Sequence, residues 1–142
     1  MAISSGNRRK KRIYRGAIAG VFAAALAFPV AATTAASANP NSDLVVLRGT
    51  VSCARFGAEF VPTSLSVSAG VAGTDSTAIN AAASRASYSG IQLSPVPPGA
   101  GTPATATLTC TSTVDGLDQE IVRNFQLVRP AGNTVTATLN VF

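Results

Sequence analysis

The sequence predicts an all-β chain: an antiparallel sandwich of six or seven strands, preceded by a signal-peptide helix. Three observations carry this reading. From Ala104 to Cys110 every second residue is apolar and every residue between is threonine, the period of a strand with one dry and one wet face. Shorter alternating stretches recur on both sides of it, separated by Gly, Pro, Asn and Asp clusters, as in a β-sandwich. The dry face ends in Cys110, and the only other cysteine, Cys53, closes another alternating stretch. The pair is expected to form a disulfide between two strands of one core.

Residues 1–38 read as a secretory signal peptide. Asn7 to Arg12 is basic, Gly16 to Phe28 is apolar and alanine-rich, and Pro29 breaks that helix. Ala36-Ser37-Ala38 is an Ala-x-Ala cleavage site that would leave Asn39 as the first residue. The competing reading is an uncleaved anchor, for which the apolar span is short, since a bilayer needs about 20 apolar residues. Arg8-Arg9 alone suggests twin-arginine export, but Lys11 and Arg12 follow where that signal wants apolar residues, so the general secretory route is expected. The basic start and alanine-rich core resemble signal peptides of high-GC Gram-positive bacteria.

Residues 39–43 form a polar leader, and the sandwich domain is expected over 44–142. Leu44 to Cys53 is the first strand, with Val45, Leu47, Gly49, Val51 and Cys53 on one face. A glycine inside a strand marks a bulge or a close backbone approach. Arg55 to Pro62 is a connection whose Phe56 and Phe60 cap one end of the core. Ser64 to Ala69 is a second strand with Leu65 and Val67 inward. Residues 70–87 leave two options: a short helix over Ala78–Ser84 capped by Asp75, or a loose edge strand. Tyr88 to Ser94 is a strand with Ile91 and Leu93 inward. Pro95 to Pro103 turns into the threonine strand. Asp115 to Asp118 turns again, and Gln119 to Val128 returns antiparallel, with Ile121, Phe125 and Leu127 on a face interrupted by a rim Arg123. Thr134 to Val141 closes the sandwich with Val135, Ala137, Leu139 and Val141 inward.

Gly49-Thr-Val-Ser-Cys53, Tyr88-Ser-Gly-Ile-Gln-Leu and Val96-Pro-Pro-Gly99 together resemble the immunoglobulin-like and prealbumin-like sandwich modules of bacterial secreted proteins. The resemblance spans about residues 44–142 and implies an immunoglobulin-like architecture. The chain departs from immunoglobulin domains proper. No Trp lies between the cysteines, and Leu108 stands where a tyrosine precedes the second cysteine by two. Lysine–asparagine isopeptide modules are excluded, because residues 39–142 contain no lysine.

Composition narrows the chemistry. The net charge of +5 comes from the N-terminus. Residues 39–142 hold five arginines against six acids, so no basic face for nucleic acid is expected. With no histidine anywhere, a Ser-His-Asp triad and His-ligated zinc are ruled out. Cys53 and Cys110 lie far apart in sequence, which favours a structural bridge over a redox pair in an exported chain. Asp115, Asp118 and Glu120 read as a solvated hairpin tip, with a weak calcium site as the alternative. The terminal Phe142 suggests an outer-membrane barrel, but six or seven strands fall short of the smallest, which has eight.

The sequence therefore points to a small, secreted, non-enzymatic β-sandwich without cofactor or metal. It would act as a structural or interaction module at the cell surface or in the medium. Its partner would be a protein or the cell wall, and it would meet a membrane only through the signal peptide before cleavage. The alternative is a secreted binder of carbohydrate or of a protease that uses loop 95–103, where Pro95, Val96, Pro97, Pro98 and Gly99 form the candidate interaction segment. A hydrolase is a remote third option.

Overall fold

The fold is described from a computed structural model over residues 38–142. The expected signal-peptide helix and Ala36 of the cleavage site fall outside the described residues. Seven strands form two sheets: β1 (Val45–Ser52), β2 (Phe60–Ser68), β3 (Thr74–Ala78), β4 (Arg85–Leu93), β5 (Thr102–Ser112), β6 (Asp118–Leu127) and β7 (Thr136–Thr138). One sheet runs β4-β1-β7 and the other β3-β2-β5-β6. The all-β, two-sheet expectation holds, and the pairings are antiparallel with one exception.

The threonine stretch becomes β5, the longest strand, and extends the expected alternation at both ends. Ala104, Ala106, Leu108, Cys110 and Ser112 are buried while the threonines between them are half-buried. The hydroxyl of Ser112 accepts the backbone N–H of Val114 at 3.3 Å, so this buried polar group is satisfied by the hairpin it opens. From the facing sheet Val45, Leu47, Val51, Ile91 and Leu93 fill the opposite side, none more than 1% exposed. Burying one such aliphatic side chain contributes about 1.5–3 kcal/mol, so the two inner faces supply most of what holds the sheets together.

Gly49 faces a close backbone approach. A Cβ there would overlap the Leu139 carbonyl and come within 2.9 Å of the Asn140 side-chain oxygen. The neighbouring register shift falls between Leu47 and Arg48 opposite β4. Gly90, with φ of 96°, is the extra residue on the β4 side of that bulge, a conformation that suits glycine. In β2, Pro62 sits at a second register shift and beyond the Ser64–Ser68 stretch paired with β3. No ladder on that side needs the amide hydrogen it lacks.

Two expectations require correction, and one open choice is resolved. Of the two options for residues 70–87, the edge strand forms, as β3, and the helix over Ala78–Ser84 does not. The β-branched Thr74 and Thr77 instead pair along the free edge of β2 as β3, and the Asp75 carboxylate, expected to cap the helix, accepts the Gln92 N–H at 2.6 Å. The connection assigned to Arg55–Pro62 ends early, because Phe60 to Pro62 already belong to β2; Phe56 and Phe60 do pack together, with ring centroids 5.6 Å apart. The last strand is not antiparallel. β7 has three residues and runs parallel to β1, with Val46 opposite Thr136 and Arg48 opposite Thr138. The chain reaches it by crossing from the other sheet, so it enters in the direction of β1 rather than folding back on a hairpin partner.

Candidate functional site

Both open sides of the sandwich are closed by polar ties. On one side Asp75 of β3 reaches Gln92 of β4. On the other, the Arg123 guanidinium of β6 donates to the Asn140 carbonyl at 3.2 Å. Arg123 is exposed at a rim, as its place on an apolar face suggests, and its hydrogen bond spans the edges of the two sheets.

Cys53 and Cys110 form a disulfide with a Cα separation of 5.7 Å. Both are fully buried, and the bond joins the end of β1 in one sheet to β5 in the other. This is a structural position: both cysteines belong to the buried apolar core, and apolar burial keeps reductants out.

The candidate interaction loop divides in two. Val96 is a core residue, 0% exposed. Its N–H donates to the Asp43 carbonyl at 2.9 Å and its own carbonyl accepts from Arg129 Nε. Ser94, just before, donates its hydroxyl to the Asp43 carboxylate at 3.0 Å. Pro95, Pro97, Pro98 and Gly99 are exposed, so an outward tip stands on a fixed stem. Val96 is part of that stem and is not available to a partner.

The carboxylates of the β5–β6 hairpin serve the turn. Asp115 accepts the Leu117 N–H at 3.2 Å, and its carboxyl is held below the usual range first by the Ser112 hydroxyl and then by that backbone N–H. Asp118 accepts the Thr111 hydroxyl at 2.6 Å. Among the described residues no three His, Cys, Asp or Glu side chains converge as a metal site would require.

A cleft of about 660 Å³ crosses β7, β1 and β4 toward the segment after β3. Arg48, Thr50, Asn80, Ser87, Thr138 and Asn140 line it. Hydroxyl and amide side chains share the lining with a larger apolar surface that includes Ala78, Ile79 and Ala86, and among the described residues Arg48 is its one charged lining residue. Tyr88 also borders it, but its hydroxyl donates to the Leu139 carbonyl at 2.7 Å and burial pushes its pKa up to about 12. A phenol so engaged does not exchange protons near neutrality. The cleft can offer hydrogen bonds and one positive charge; it holds no activated nucleophile and no acid–base pair.

The sequence reading misses the polar contacts that hold the start of the domain. Asn39, at the start of the expected leader, is only 3% exposed. Its partners outside the leader lie in residues 129–134. The only sequence cue is the turn composition of Arg129-Pro-Ala-Gly-Asn133, which marks a loop but not what the loop holds. Comparison of the chain with protein families, with characterised proteins and with solved structures finds no match.

Proposed function

We propose that this chain is an exported, non-enzymatic β-sandwich of immunoglobulin-like organisation that serves as a structural or interaction module at the cell surface or in the medium. The observation that carries the proposal is the fully buried bridge between the two sheets. A bond of this kind persists in an oxidising compartment, in line with the basic, apolar and Ala-x-Ala succession at the N-terminus.

Strand neighbours support the immunoglobulin-like part of the reading. β1 lies beside β4, and β3, β2, β5 and β6 follow one another in the second sheet. Those are the neighbours of strands B and E, and of C′, C, F and G, in immunoglobulin domains, where a disulfide likewise joins B to F across the core. The place beside B that strand A takes in those domains is held here by β7 at the other end of the chain. The Trp and the tyrosine corner of those domains have no counterpart in this chain.

A second reading, a binder of carbohydrate or of a protease, draws on the exposed Pro97-Pro98-Gly99 tip above its pinned stem. A rigid scaffold presenting a loop is a common arrangement for recognition. Fractionation of an expressing Gram-positive host tests the main proposal. The protein is expected in the medium or wall fraction with no reactive thiol until it is denatured and reduced. Accumulation in the cytoplasm with two titratable thiols would overturn it.

A further inference from the structure

Residues 38–43 form no strand, yet Asn39 is the most enclosed of the three buried polar residues. Its backbone N–H donates to the Pro130 carbonyl at 2.9 Å. Its side-chain Nδ2 donates to the Thr134 carbonyl at 2.9 Å, and its Oδ1 accepts the Asn41 N–H at 2.9 Å. Its own carbonyl accepts Arg129 Nη1 at 3.3 Å. The residue before it, Ala38, is bridged to Ala131. Arg129 also holds the carbonyl of Val96, so one side chain joins residue 39 to the stem of the 95–99 loop.

We propose that loop 129–134 is a socket for the amino terminus created by cleavage after Ala38, and that cleavage comes before docking. The inference rests on the export reading above. A protease must draw the scissile bond and its flanks, extended, into its own cleft. The Ala38–Asn39 bond lies between a residue bridged to another segment and a residue held by four hydrogen bonds. Such backbone is cut only when it opens. A chain crossing the membrane unfolded presents the bond freely, whereas a folded precursor hides it.

The chemistry of the cut suits the socket. Hydrolysis adds water across the Ala38–Asn39 peptide bond, leaving a carboxylate on Ala38 and an α-amine on Asn39. That amine has a pKa near 8 and is mostly protonated at neutral pH. Its nitrogen already faces the Pro130 carbonyl, so the ammonium keeps this hydrogen bond in a charge-assisted form. Capture of an N-terminal amine by backbone carbonyls is a known recognition mode; here receptor and ligand belong to the same chain.

The test uses the full-length precursor, folded with the Cys53–Cys110 bridge formed and treated with signal peptidase in detergent micelles. A peptide spanning residues 26–45 serves as the unfolded comparator. The peptide should be cut after Ala38, and the folded precursor at least about 100-fold more slowly, the ratio that three or four ordinary hydrogen bonds impose on a local opening. Arg129→Ala should speed cleavage of the folded precursor several-fold without freeing a thiol, and an unchanged rate would count against the socket. Equal rates for peptide and folded precursor would overturn the socket while leaving cleavage after Ala38 standing. If neither substrate is cut after Ala38, the processing reading falls, and the inference with it.

Discussion

The β2–β5 pair and the seam around β7 are held by different means. In the pair, Leu65 lies opposite Leu108, Val67 opposite Ala106, and Pro62 opposite Cys110, and these inward side chains are buried. Register follows from the period of two, because a slip of one residue would turn every apolar group outward. Along the seam the regular pairing is three residues long, and the rest is made by single contacts. Tyr88 reaches the Leu139 carbonyl, the Asn140 side chain accepts from the Thr50 N–H at 2.9 Å, and Asn39 sits among the carbonyls of 130 and 134. Apolar alternation fixes a strand along its length. Beyond a handful of backbone hydrogen bonds, the seam depends on a few polar side chains, each of which can be removed alone.

That contrast can be probed by substitution. The largest effect is expected at the bridge that ties β5 of the pair to the end of β1. Replacing both Cys53 and Cys110 by Ala should lower stability by about 4 kcal/mol on the chain-entropy account of a bridge, read as a drop in the denaturant midpoint, with the strand order unchanged. A rearranged sheet would show that alternation alone does not set the register. A smaller effect is expected in the seam from Gly49→Ala, which forces a methyl group onto the Leu139 carbonyl; about 2 kcal/mol is typical of such overpacking. Hydrogen exchange should quicken first at Leu139 and Val141. Uniform quickening across β5 would erase the distinction between the two regions. The smallest belongs to Tyr88→Phe, which removes the hydrogen bond to Leu139 at a cost of about 1 kcal/mol.

Tyr88 also gives the seam a pH dependence. Its pKa is raised from 10.0 to about 12 by burial, so its contribution is whole below pH 10 and is lost as pH rises through about 12. Alkaline melts of the wild type should show this decline, and those of the Phe variant should lack it. Equal declines would remove Tyr88 as the cause.

Legibility in the sequence follows the same division. Ala104, Ala106, Leu108 and Cys110 announce their face by themselves, and the bridge follows once two such strands carry the only cysteines. Gly49 is legible as an exception inside a strand, although its neighbour Leu139 is not. Thr136 to Thr138 read correctly as extended, but side-chain alternation is the same for parallel and antiparallel strands, so the direction of β7 stays hidden. The alanines of 78–84 favour a helix locally; the free edge of β2 offers the preceding threonines a ladder instead, and tertiary pairing overrides propensity. Val96 looks like part of a surface loop because its neighbours are prolines and glycine, while its burial depends on Asp43 and Arg129. The Asn39 socket is invisible because its acceptors are backbone carbonyls about ninety residues away, which no residue type marks.

The parallel run of β7 on β1 has a mechanical consequence. Chain entering from Asn39 leads to the start of β1, whereas Val141 leaves beside Val51 near its other end. A pull applied between the two ends of the domain therefore drags β1 and β7 past each other in opposite directions. The bonds Val46 N–H to Val135 O, Leu139 N–H to Arg48 O, Val141 N–H to Thr50 O and Ser52 N–H to Val141 O lie across that pull and are loaded in shear together, where strands peeled from one end would surrender them singly. Once they yield, the chain cannot pay out between Cys53 and Cys110, a separation of 57 residues. Only the segments outside the bridge can lengthen, so a domain tethered under tension would give way late and extend little.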